Sequence, residues 1–153
     1  MDATVRRAMW PSHVRELVFT MQLGGWARLR DDPLRLVVAG IAVITVATGA
    51  TQIVAAGFVL GLLSAESTEA TRHLFATVGM FMVLFGGLLI QALLDRGEHP
   101  MVVWWASLQK LGASAAVLVG VVRGVFAVVA LAVAGFDLLS GVLGMALWNR
   151  IRR

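Results

Sequence analysis

Four long apolar runs separated by short polar links leave this chain few ways to fold. They cover about residues 34–63, 73–94, 101–121 and 124–148. A helix needs about 20 apolar residues to cross the ~30 Å hydrocarbon core of a bilayer, and each run supplies them. Backbone N–H and C=O groups find no water in lipid, so each run must satisfy them internally as a helix. The expected fold class is therefore all-α, a four-helix transmembrane bundle. Its links are residues 64–72, residues 95–100 and little more than Val122-Arg123-Gly124. Links this short make successive helices antiparallel. The first run is long enough to tilt or to project beyond the lipid.

Composition agrees with this reading. Of 153 residues 59% are apolar and only 14% charged, whereas a soluble domain carries about 25% charge to face water. A chain with so few charges needs the lipid bilayer as its partner over much of its surface. The first run lies behind a charged segment too long for a signal n-region, and it far exceeds the ~7–15 residues of a signal h-region. It is expected to stay in the membrane. There are no cysteines, which excludes disulfides, thiolate metal sites and cysteine nucleophiles.

The net charge of +4 does not point to nucleic acid, because the basic residues cluster beside the apolar runs as a topological signal. With both termini cytoplasmic, the inner side holds Arg6, Arg7, Arg15, Arg28, Arg30, Arg35, Arg96, Arg150, Arg152 and Arg153, and the outer side only Arg72 and Arg123. Glu66 and Glu69 fall on the outer loop. Trp104, Trp105 and Trp148 fall near the inner interface, as an aromatic belt does.

Residues 1–33 differ. Pro11 suits the first helical position, and Val14, Leu17, Val18 and Met21 recur at helical spacing. With Trp10, Trp26 and nearby arginines, the stretch reads as an N-terminal interfacial amphipathic helix on the inner leaflet. Gly24-Gly25 would end it, and Asp31-Asp32-Pro33 would cap the start of the first span.

Lipid gives no helix a hydrophobic reason to prefer another, so close approach depends on small residues. The expected packing positions are Gly57 and Gly61 on the first span and Gly86-Gly87 on the second. Gly112, Ala116 and Gly120 serve the third, and Gly141 and Gly144 the fourth.

Two charges lie deep in the apolar runs. Lys110 is nine residues from the inner end of its run, roughly 13–14 Å, and Asp137 eleven residues from Trp148, roughly 16–17 Å. A lone charge at mid-membrane costs about 3 kcal/mol. Antiparallel neighbours bring these two to similar depth, so an ion pair inside the bundle is expected. Ser107 and Ser114 lie on the face of Lys110, and Ser140 lies three residues after Asp137, as supporting polar groups. Gln52, with Thr45, Thr48 and Thr51, adds polarity to the first span, and Gln91 to the second.

No catalytic signature, cofactor motif or metal-ligand cluster is legible. His13, His73 and His99 stand in three separate segments, and Met80 and Met82 are ordinary packing residues. No proline interrupts a run, whereas transporters often break a helix at the substrate site.

The back half, residues 105–147, with Gln109-Lys110-Leu111-Gly112 in the third span and Phe136-Asp137-Leu138-Leu139 in the fourth, resembles small four-helix proteins of bacterial inner membranes, the DoxX-like group among them. The glycine- and arginine-marked first span of that group is missing. The resemblance implies a bacterial inner membrane and an accessory role, and no activity. The sequence therefore leads to a non-catalytic accessory or assembly subunit of a larger inner-membrane complex, with other membrane subunits as partners. A small transporter or channel using Lys110 and Asp137, and a lipid- or isoprenoid-binding protein, are the alternatives.

Overall fold

A computed structural model describes Gly25 and residues 28–153. The amphipathic segment expected over most of residues 1–33 lies outside the described residues. A helical turn over 28–31 leads into α1 (Pro33–Val54), followed by α2 (Ala56–Leu62), α3 (Glu69–Leu94), α4 (Pro100–Val122) and α5 (Ala130–Ile151). Four of these, α1, α3, α4 and α5, are long and apolar enough to cross a membrane. The shortest has 22 residues, or about 33 Å at the helical rise. Large apolar side chains such as Phe58, Leu74, Val78 and Phe81 point outward, which lipid accepts and water does not. This is a multi-pass helical membrane protein.

The helix starts follow from local chemistry. Asp32 caps α1 by accepting from the backbone N–H groups of Leu34 (3.1 Å) and Arg35 (3.2 Å), with Pro33 at the first helical position. Thr68 caps α3 by accepting from the Thr71 N–H, and Glu69 sits in its positive first turn. That cap begins α3 four residues before His73.

Two boundaries depart from the sequence reading. The single first span expected over 34–63 is broken at Ala55, whose φ of −131° leaves the helical region. α1 alone already spans the hydrocarbon, so α2 continues beyond a completed crossing. The tight link at Val122-Arg123-Gly124 is in fact seven residues long, and α5 begins at Ala130 rather than Gly124. Gly124 adopts φ +72°, and the N–H groups of Gly124 and Val125 return to the carbonyls of Val121 and Gly120. This left-handed cap reverses the chain where apolarity alone predicts more helix. Phe126 then folds back over Gly120, where a Cβ would strike its ring. Ser64, at φ 51°, closes α2 with the same pair of bonds, and the Leu63 carbonyl accepts from the N–H of Ala127 at 2.9 Å. The two loops at this end are thereby joined.

The bundle is two tight antiparallel pairs, α1 with α3 and α4 with α5, which touch one another more lightly. In α1 the buried residues are Arg35, Val38, Ala42, Thr45, Gly49 and Gln52. Their alternating steps of three and four are the seam of coiled-coil packing. Gly49 meets Gly79 and Ala42 meets Gly86 along α3. In the other pair Gly144 faces Ser107 and Gly141 faces Leu111. The apolar core occupies the end nearer the α3–α4 loop, where Leu29, Val38, Leu89, Leu93, Val103 and Leu147 are buried together.

Several expected packing positions are corrected here. Gly61 and Gly112 face open space, and Ala116 is exposed. Gly57 meets only the flexible Arg72 side chain in the first turn of α3 and the Ser67 hydroxyl before it, not a close backbone crossing, and Gly87 of the Gly86-Gly87 pair faces away. A four-residue spacing identifies one side of a helix but not which side is turned inward. Gly86, Gly141 and Gly144 do lie at helix contacts, and Gly120 receives the Phe126 ring.

Candidate functional site

The buried polar groups gather where the two helix pairs meet. Lys110 Nζ stands 2.7 Å from Asp137 Oδ1, joining α4 to α5, and the two side chains are only 8% and 9% exposed. The Phe136 ring centroid lies 5.5 Å from the same ammonium, within reach of a cation–π attraction. Each charge thus finds its principal partner on the neighbouring helix.

The serines act differently from the sequence reading. Ser107 donates to the Val103 carbonyl (2.7 Å) and Ser140 to the Phe136 carbonyl (2.7 Å), each one turn back on its own helix. Ser114 donates across the pair to the Ala134 carbonyl at 2.8 Å, a second pin between α4 and α5. None of the three hydroxyls supplies its proton to the ion pair. Thr45 likewise donates to the Ile41 carbonyl. Gln52 lies seven residues beyond Thr45 along α1, about 10 Å. It is buried, and its Oε1 has no hydrogen-bond partner among the described residues.

Beside Lys110 lies a cavity of about 20 Å³, room for about one water molecule. Thr45 and Gly86 border it from one helix pair, and Ser107, Lys110 and Ser140 from the other. Gln109 borders it as well, whereas Asp137 does not.

A second polar cluster had no expectation attached to it. At the end of the bundle holding the α3–α4 loop, Arg35 is buried and donates to Glu98 Oε1 and Oε2 at 2.8 and 3.0 Å. It also reaches Asp32 Oδ2 at 3.4 Å. Arg150 pairs with the same Asp32 carboxylate, and Arg28 approaches Glu98 at 3.6 Å. One network therefore ties the start of α1, the α3–α4 loop, the end of α5 and the turn before α1. Three arginines that count towards topology are structural ties as well. The only sequence hint was the three-residue step from Asp32 to Arg35 just inside the first span. The Trp104 and Trp148 rings pack at a 46° tilt with centroids 4.4 Å apart, and the Arg152 guanidinium lies 3.9 Å from the Trp148 ring centroid.

The two described histidines stay apart: His73 is in the first turns of α3, whereas His99 precedes α4 and contacts Asp95 at 2.6 Å, and His13 lies outside the described residues. That hydrogen bond, with the backbone N–H of Arg96, holds the Asp95 carboxyl below the usual carboxylate range.

Compared with protein-family models, curated proteins and solved structures, the chain matches none of them.

Proposed function

We propose that this chain is a non-catalytic accessory or assembly subunit of a larger protein complex in a bacterial inner membrane, with both termini cytoplasmic. The observation that carries the reading is how the buried polar groups are satisfied. Lys110 and Asp137 meet each other, and Ser107, Ser114 and Ser140 donate to backbone carbonyls. This is polarity arranged to hold helices in register.

Two further observations support it. The two helix pairs are tight within themselves and lightly joined to each other, which suits a protein braced by neighbouring subunits. Gly61, Gly112 and Ala116 leave small side chains on outward faces, where another helix can approach closely. The cytoplasmic placement of the termini rests on the ten arginines against two.

Extraction in a mild detergent followed by native mass measurement tests the reading. A stable assembly with other membrane subunits is expected. A homogeneous lone monomer, recovered at native expression with no co-purifying subunit, counts decisively against it.

A further inference from the structure

Charge is shared unequally between the two ends of the bundle. At the end holding the α4–α5 loop, Arg72 and Arg123 are matched in number by Glu66 and Glu69. At the end holding the α3–α4 loop, seven arginines stand against four carboxylates among the described residues. Three of those carboxylates are already engaged: Asp32 by Arg35 and Arg150, Glu98 by Arg35 and Arg28, and Asp95 by His99. Arg152 forms no ion pair with any described carboxylate. Positive charge is therefore left over here.

Arg152 is nonetheless held in place. Its guanidinium lies 3.9 Å from the Trp148 ring centroid, and Trp104, near the start of α4, packs against the same Trp148. Stacking uses the face of a guanidinium and leaves its N–H edge free to donate, in a fork that matches two oxygens of one phosphate. The depth of this corner selects the anion. α5 has 22 residues, about 33 Å, and Arg152 caps its end. That places Arg152 just outside the ~30 Å hydrocarbon core, level with the phosphates, where tryptophan rings also settle. The anion concentrated at this depth is the phosphate of a lipid head group.

We propose that Arg152, seated on Trp148 and Trp104, is a head-group site for an anionic phospholipid. The guanidinium edge donates to the phosphate oxygens. The two indole rings fill the interfacial layer beside the glycerol backbone, and the acyl chains run down the lipid-facing side of α4 and α5. The site is independent of any partner subunit.

The full chain in mild detergent is titrated with phosphatidylglycerol or with chain-matched phosphatidylcholine, and bound lipid is counted by native mass measurement. Phosphatidylglycerol is expected to bind about fivefold more tightly, the scale of one arginine at a charged lipid surface. Arg152→Gln, at an exposed position, should erase that preference. Arg30→Gln removes the same charge from the same end without an aromatic platform and should leave the preference standing. Trp148→Leu keeps the charge, takes away its platform and should weaken the preference. Equal affinity for the two lipids, a preference that survives Arg152→Gln, or equal loss in the Arg152 and Arg30 variants overturns the proposal. So does displacement of the lipid by inorganic phosphate at the same concentration, which would make the ligand a soluble anion.

Discussion

Gly49 of α1 and Gly79 of α3 meet backbone to backbone: a Cβ on either would lie 2.6 Å from the other's carbonyl oxygen. Neither helix can accept a methyl there without moving away, so Gly49→Ala or Gly79→Ala should cost about 1–3 kcal/mol. Gly112 offers the comparison, because a Cβ there meets nothing. Gly112→Ala should be neutral or stabilising by up to about 1 kcal/mol, as alanine is the better helix former. Unfolding midpoints in one detergent decide the matter. Equal midpoints for Gly79→Ala and Gly112→Ala would contradict the close crossing.

Lys110 and Asp137 make a sharper case. Removing either partner strands the other charge in a buried site, which costs about 3–5 kcal/mol. Lys110→Met and Asp137→Leu are each expected to lower stability by that order, and the double variant should recover most of it. Proteoliposome flux assays on the same set separate structure from transport. If Asp137→Asn keeps full stability but abolishes a measurable ion or solute flux, the accessory reading fails.

The facing of Lys110 and Asp137 was legible because helix rise and antiparallel order set their depths independently of the loop between them. That loop is seven residues rather than three, yet both helices still run side by side. The four spans were legible because hydropathy reports burial in lipid directly. The break at Ala55 was not, since neither proline nor a glycine pair marks it. Nor was the late start of α5, because residues 124–129 are apolar enough to pass for helix while Gly124 turns the chain. Packing glycines were misassigned for a related reason. The seven-residue steps Ala42 to Gly49 and Gly79 to Gly86 carried the real seam, whereas four-residue motifs drew attention to Gly57, Gly61 and Gly112. The serines were placed near the ion pair, but sequence cannot tell a hydroxyl aimed at a charge from one bonded to its own helix.

The Asp32 carboxylate has two jobs that substitution can separate. It caps α1, and it pairs with Arg35 and Arg150. Asparagine caps a helix about as well as aspartate, so Asp32→Asn isolates the ionic part, whereas Asp32→Ala removes both. Loss of the cap costs about 1 kcal/mol, so Asp32→Ala should be less stable than Asp32→Asn by about that amount. The deficit of Asp32→Asn against the native chain should shrink as salt is raised, because the Arg150 side of the pair is solvent-exposed. A deficit independent of ionic strength would show that the exposed Arg150 contributes nothing and that the loss comes from the buried Arg35 side, which salt screens little.

Gln52 presents the opposite expectation, a substitution that strengthens the protein. Its side chain is buried in the α1 seam near Gly79, and Oε1 has no hydrogen-bond partner among the described residues. An unsatisfied buried acceptor costs about 1–3 kcal/mol relative to a well-packed apolar group. Methionine has similar length and flexibility and carries no such acceptor. Gln52→Met should therefore stabilise the protein by about 1–3 kcal/mol, read as a raised unfolding midpoint. A lowered midpoint would mean that the amide oxygen accepts a bond in the folded protein, from a water or from a neighbouring subunit. Repeating the measurement on the chain within its native assembly distinguishes those two donors, since only a subunit's donor is lost on dissociation.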